Sequence, residues 1–173
     1  METNPTTTPT SPCMNAEPQE EHRWLQQLVG EWTFEGEATM EPGQPPMKHH
    51  GTESVRGIGG LWILGEGSGQ MPDGGRATMI LTLGYNPTTK RFVGTWLGSM
   101  MTHLWVYDGE LDPARRILTL SAEGPDMAIE GKTAKYRDVV EIKSSDHRML
   151  TSHVLGDDGK WHQFMTAHYR RTS

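Results

Sequence analysis

The 173-residue chain is expected to fold as an all-β protein: an up-and-down antiparallel β-barrel of about ten strands with one short N-terminal helix. Three features lead there. Apolar and polar residues alternate with period two through almost the whole chain beyond Glu31, as in strands with one buried face. Clusters of Gly, Pro, Asn and Asp punctuate that alternation and supply turn geometry. Only one segment carries helical spacing. Successive hairpins favour closure, because a closed barrel leaves no strand edge unpaired.

Met1 to Gln19 is rich in Thr and Pro and holds too few apolar groups to offset the entropy of ordering, so it reads as a disordered tail. The rest, 20–173, reads as a single domain. From Glu20 to Val29, Trp24, Leu25, Leu28 and Val29 recur at helical spacing, and Gly30 stands where a C-terminal cap would lie. Period two begins next, with Trp32, Phe34, Ala38 and Met40 against Thr33, Glu35, Glu37 and Thr39. Further strands are expected at 47–58, 61–69, 76–85, 91–98, 103–109, 116–123, 134–143, 148–155 and 161–171. Two of the turns are similar. Asn86-Pro87 leads through Lys90 to Phe92, and Asp112-Pro113 leads through Arg116 to Leu118.

Composition excludes several classes. Cys13 is the single cysteine, which rules out a disulfide scaffold, and in the tail it reads as an incidental thiol. The longest apolar run, Leu61-Trp62-Ile63-Leu64, falls far short of the ~18 residues that a membrane-spanning helix needs. The N-terminal segment has neither a basic start nor an apolar centre, so a cytoplasmic location is expected. Net charge is −6, but the first 21 residues hold Glu2, Glu17, Glu20 and Glu21 and no base. The body is close to neutral and lacks the basic run that binding nucleic acid requires. A monomer or homodimer is expected.

The opening of the body, Leu28-Val29-Gly30-Glu31-Trp32, resembles the helix followed by Gly-x-Trp that begins lipocalin-like (calycin) barrels. Taken with Gly59-Gly60-Leu61-Trp62, Gly84-Tyr85-Asn86-Pro87, Phe92-Val93-Gly94-Thr95-Trp96, Asp158-Gly159 and Tyr169-Arg170-Arg171, the pattern over 22–171 is similar to the bacterial family called domain of unknown function 1579. The calycin resemblance implies that Trp32 packs under an arginine of the last strand. Arg171 is assigned to it, as a structural plug closing the barrel through a cation–π contact.

Eight histidines are the candidate metal or cofactor ligands. His162 and His168, six residues apart on one strand, would lie roughly 20 Å apart and could not share an ion. A four-residue turn at 156–159 would set His153 opposite His162, whereas a two-residue Asp158-Gly159 turn would pair it with Phe164. In both registers His153, His162 and His168 share a face, and the alternate face (Leu150, Val154, Met165, Ala167, Tyr169) is the more apolar and the expected interior. A two- or four-residue turn before that hairpin would move Val140 and Ile142 onto the histidine face. No metal is expected, because two histidines without a carboxylate or thiolate make an incomplete zinc site. Haem is the minor cofactor reading: nitrobindins, barrels of related shape, hold it through a late-strand histidine.

Gly94 and Gly98 share a face with Phe92 and Trp96, and glycines beside large aromatics leave room for a ligand. The candidate lumen residues are Trp62, Met79, Trp96, His103, Trp105 and Tyr107, with Arg56 and Glu66 as charged groups that could reach inside. The expected function is binding of a small apolar or aromatic molecule. The alternative is a barrel enzyme of isomerase, cyclase or hydrolase type using His103, Tyr107, Arg56 or Glu66 for proton transfer. Ser68, in Gly-Ser-Gly, does not fit a nucleophile elbow.

Overall fold

The computed structural model describes residues 16–39, 43–70 and 74–173. Cys13 and most of the expected tail lie outside these residues, as does Met40. One helix, α1 (Glu20–Gln26), precedes ten strands: β1 (Gly30–Ala38), β2 (Met47–Ile58), β3 (Trp62–Gln70), β4 (Arg76–Asn86), β5 (Arg91–Gly98), β6 (Trp105–Leu111), β7 (Ile117–Pro125), β8 (Thr133–Ser144), β9 (His147–Leu155) and β10 (Trp161–Arg171). Every strand pairs antiparallel with its sequence neighbours, and β1 pairs with β10, so the sheet is a closed up-and-down barrel. No helix among the described residues is long and apolar enough to cross a membrane.

The two similar turns use the Asx chemistry expected of them. The side-chain oxygen of Asn86 accepts from the Thr88 amide at 3.0 Å, and that of Asp112 from the amides of Arg116 and Ile117, both at 2.7 Å. Each turn also places one non-glycine residue in the left-handed region, Lys90 at φ 55° and Arg115 at φ 56°.

The helix caps one end. Its apolar side chains Trp24 and Leu25, with Leu28 just beyond, are buried against Phe92 and neighbouring strand residues. His22 fastens it from the other side, where Nδ1 accepts from the Gln19 amide and Nε2 donates to the Tyr85 carbonyl. The helix ends at Gln26, earlier than its apolar spacing suggested, because Leu28 turns under the barrel instead of continuing the coil. Gly30 therefore opens β1 and is not a helix cap. Its φ of 139° and its missing side chain leave passage for the Arg171 guanidinium, with which a Cβ would collide.

That guanidinium ties the closed end together. It lies 4.2 Å from the centroid of the Trp32 ring and donates to the carbonyls of Val29, of Gln27 at 2.7 Å and of Ser145 at 2.9 Å. Trp32 is the residue paired with Arg171 across the β1–β10 seam, and its indole N–H donates to the Leu28 carbonyl at 2.9 Å. One side chain thus joins the last strand, the helix exit and the β8–β9 turn.

Two bulges reset the inward and outward alternation late in the chain. The β9–β10 connection holds five residues, 156–160, and sets His153 opposite Gln163, not opposite His162 or Phe164 as the simpler turns would. A register shift between Gln163 and Met165 then puts Phe164 and Met165 both at the lumen. His162 consequently falls on the face opposite His153 and His168, which corrects the expectation that the three share one. A second shift between Ile142 and Ser144 pairs Val140 with Leu150, so Val140 faces inward despite the two-residue turn that follows β8.

Arg171→Ala is expected to lower stability by about 2 kcal/mol, from loss of a cation–π contact and several carbonyl hydrogen bonds. Arg171→Lys should restore less than half of this, since lysine lacks the planar fork. Urea midpoints at constant m-value measure both, and an unchanged midpoint for Arg171→Ala would contradict the role.

Candidate functional site

The inward-facing positions do not fill the barrel. They enclose a cavity of about 270 Å³. Gly94 and Gly98 lie on the inward face of β5 with Phe92 and Trp96, as the alternation requires, but they do not border the cavity, and their missing side chains serve close packing. A Cβ at Gly94 would strike the Thr82 carbonyl, and one at Gly98 would meet the Trp96 ring. The apolar wall comes from Met79, Leu81 and Leu83 of β4, Trp96 of β5, Trp105 of β6 and Leu120 of β7. Trp105 stands edge-on to Tyr136 at 4.9 Å, and Tyr136 edge-on to Phe164 at 6.2 Å, giving one continuous aromatic side.

Of the residues expected at the lumen, Met79, Trp96, Trp105 and Tyr107 line this cavity. His103 stands behind Trp105, edge-on at 4.8 Å, with Nε2 3.1 Å from the Glu123 carbonyl. Trp62 lies on the outer face across Gly84, whose missing side chain accommodates the indole. Arg56 and Glu66 are exposed on the outer face, paired with Leu64 and Ser54 respectively.

Three other charged side chains border the cavity. Glu53 of β2 and Arg148 of β9 form an ion pair with side-chain exposures of 11% and 6%, low enough to count as desolvated. The Arg148 guanidinium also lies 4.5 Å from the Trp32 ring and 4.4 Å from that of Tyr169. Asp138 of β8 makes no ion pair among the described residues. Its two oxygens accept from the Tyr107 hydroxyl and from the Ser152 hydroxyl, each at 2.5 Å. Asp138 and Tyr169 lie deep in the barrel, and the surface they leave uncovered faces the cavity.

Burial is the main cause of the titration shifts here. Desolvation pushes the Asp138 carboxyl above the ordinary carboxylate value, partly offset by its two hydroxyl donors and the nearby His153. It raises the Tyr107 phenol well above its usual value, and the Asp138 charge adds to this. Tyr169 is raised for the same first reason, with Glu53 reinforcing it, and desolvation lowers His49, a lining residue from β2.

The charged lining was within reach of the sequence for Arg148, which falls on the face of Leu150 already read as interior. Asp138 sits between Tyr136 and Val140 at period two, and Glu53 between Gly51 and Val55. Their polarity concealed them: an inward charge looks like an outward one until pairing fixes the parity.

The late-strand imidazoles lie away from the lining. His168 holds His147 at 3.1 Å on the outer wall, and His162 is exposed against Asp158 at 2.9 Å. The imidazole that does line the cavity is His49 of β2.

Residues 17–171 match the family described as "Protein of unknown function (DUF1579)", and the chain belongs to that family. No curated protein matches it. Among solved structures it is similar to Rv2717c from M. tuberculosis, with 10% identity and a TM-score of 0.59, covering 91% of this chain and 100% of that one. It is also similar to the S-type phycobiliprotein lyase CPES from Guillardia theta, with 11% identity and a TM-score of 0.52, covering 90% and 94%. At such identities the likeness is one of fold.

Two outcomes follow from the buried charges. Glu53→Gln should cost about 3 kcal/mol by leaving Arg148 unpaired, and the double variant Glu53→Gln/Arg148→Met should recover most of it. Equal stability of the single variant and the parent would contradict the pairing. For Asp138 the folded state holds its proton more tightly than the unfolded state. Stability should therefore fall as pH rises from the ordinary carboxylate range through the raised value. Asp138→Asn should remove that component from a denaturation series across pH, and an unaltered profile would count against it.

Proposed function

We propose that this member of the family binds a small, mostly apolar molecule of aromatic character inside its barrel. The cavity carries the reading. Protein interiors pack densely, whereas here the inward side chains leave a space of about 270 Å³ between them. Its lining supports the same reading, since Leu81, Leu83, Trp96, Trp105 and Leu120 offer apolar surface and ring faces while the polar groups cluster around Asp138 and Arg148. The volume suits one compact ligand of one or two rings.

The rim has matching character. Met100, Met101, Leu104, Met127 and Ile129, in the β5–β6 and β7–β8 connections at the end away from the helix, are all exposed. An apolar molecule would enter there, where methionine side chains can adapt to its shape.

The test uses 2-naphthol, an uncharged aromatic. Titration should quench tryptophan emission saturably with one site per chain. Trp96→Ala should weaken binding about tenfold through loss of apolar contact, whereas Trp62→Phe, on the outer wall, should leave it unchanged. Quenching without saturation, or equal affinity in Trp96→Ala, would overturn the reading.

A further inference from the structure

Resting on the reading of the lumen as a binding cavity, we infer that its ligand carries a cationic, hydrogen-bond-donating nitrogen, as in an arylalkyl ammonium, and that Asp138 receives it. Glu53, Arg148 and Asp138 are the charged side chains bordering the cavity, two acids against one base. Arg148 is already engaged, by Glu53 and by the rings of Trp32 and Tyr169. Asp138 is left with two neutral donors, the hydroxyls of Tyr107 and Ser152.

A carboxylate oxygen can accept more than one hydrogen bond, so each Asp138 oxygen keeps acceptor capacity after those contacts. A buried carboxylate without a counter-ion is costly, and a cation from the ligand would remove that cost. Tyr136 and Trp105 also line the cavity, and aromatic ring faces attract a cation electrostatically. Both features select for positive charge.

A carboxylate ligand fits poorly. It would meet two acids, and the guanidinium that could receive it would first have to leave Glu53. A neutral ligand would occupy the apolar wall but leave Asp138 without a counter-ion.

Binding is also linked to protons. Where Asp138 starts protonated, uptake of an ammonium ion sends one proton to solvent and leaves an ion pair. Affinity for the cation therefore weakens as pH falls through the titration of Asp138. The groups facing it are Tyr107 of β6 and Ser152 of β9, with Tyr169 of β10 in electrostatic reach and His153 behind on the outer face.

Three probes of one size and different charge test this: 2-phenylethylammonium, 2-phenylethanol and phenylacetate, each titrated by calorimetry. The ammonium should bind at least tenfold more tightly than the alcohol, and the carboxylate most weakly. Asp138→Asn should abolish the preference for ammonium over alcohol, read as the ratio of the two dissociation constants in that variant. The ranking in the unaltered protein tests the idea even where that variant does not fold. If alcohol binds as well as ammonium, or carboxylate binds best, the inference is overturned and the small-molecule reading stands. If none of the three and no 2-naphthol binds, the small-molecule reading itself fails and takes this inference with it.

Discussion

Closing a ten-stranded sheet on itself is the constraint from which the rest of this structure follows. A barrel of this girth is wider than its own side chains can fill, so one end is plugged and its middle keeps a space. The plug is assembled at the β1–β10 seam, where Trp32 receives two guanidinium groups, Arg171 from the closing strand and Arg148 from the strand beside it. Arg171 reaches three backbone carbonyls from that position. The missing side chain and positive φ of Gly30 leave the passage that it occupies.

Arg148 links closure to the cavity. It touches the plug through Trp32 and the lumen through Tyr169, and its charge is balanced by Glu53 from across the seam. The polar interior is thus divided in two. One part, Glu53 with Arg148, is internally neutral and structural. The other, Asp138 with its two hydroxyl donors, has unmet acceptor capacity and borders open space. On that asymmetry rests the proposal of a cationic ligand.

Most of the architecture was legible from alternation and turn residues. The bounds expected for β2 and β5 coincide with those observed, because Gly, Pro and Asn end those strands sharply. Trp96, Trp105 and Tyr107 were legible as cavity-lining candidates for the same reason, since period two continues unbroken through β5 and β6. Beyond Ile142 the pattern misleads. The odd, five-residue β9–β10 connection reverses the parity of His162 relative to His153, and the bulge at Gln163/Met165 reverses it relative to His168, so neither can be counted along the chain. The inward charges were hidden by a different cause. Burial of Glu53 and Arg148 depends on their meeting across nearly a hundred residues, a pairing that no local signal records.

The central claim is that the lumen exists to be occupied by a small molecule. A crystal structure of the protein grown with 2-naphthol tests it most directly. The account predicts density for one molecule enclosed among Trp96, Trp105 and Tyr107, with the surrounding strands unmoved. A lumen filled by its own repacked side chains, with naphthol absent or only on the outer wall, would contradict it.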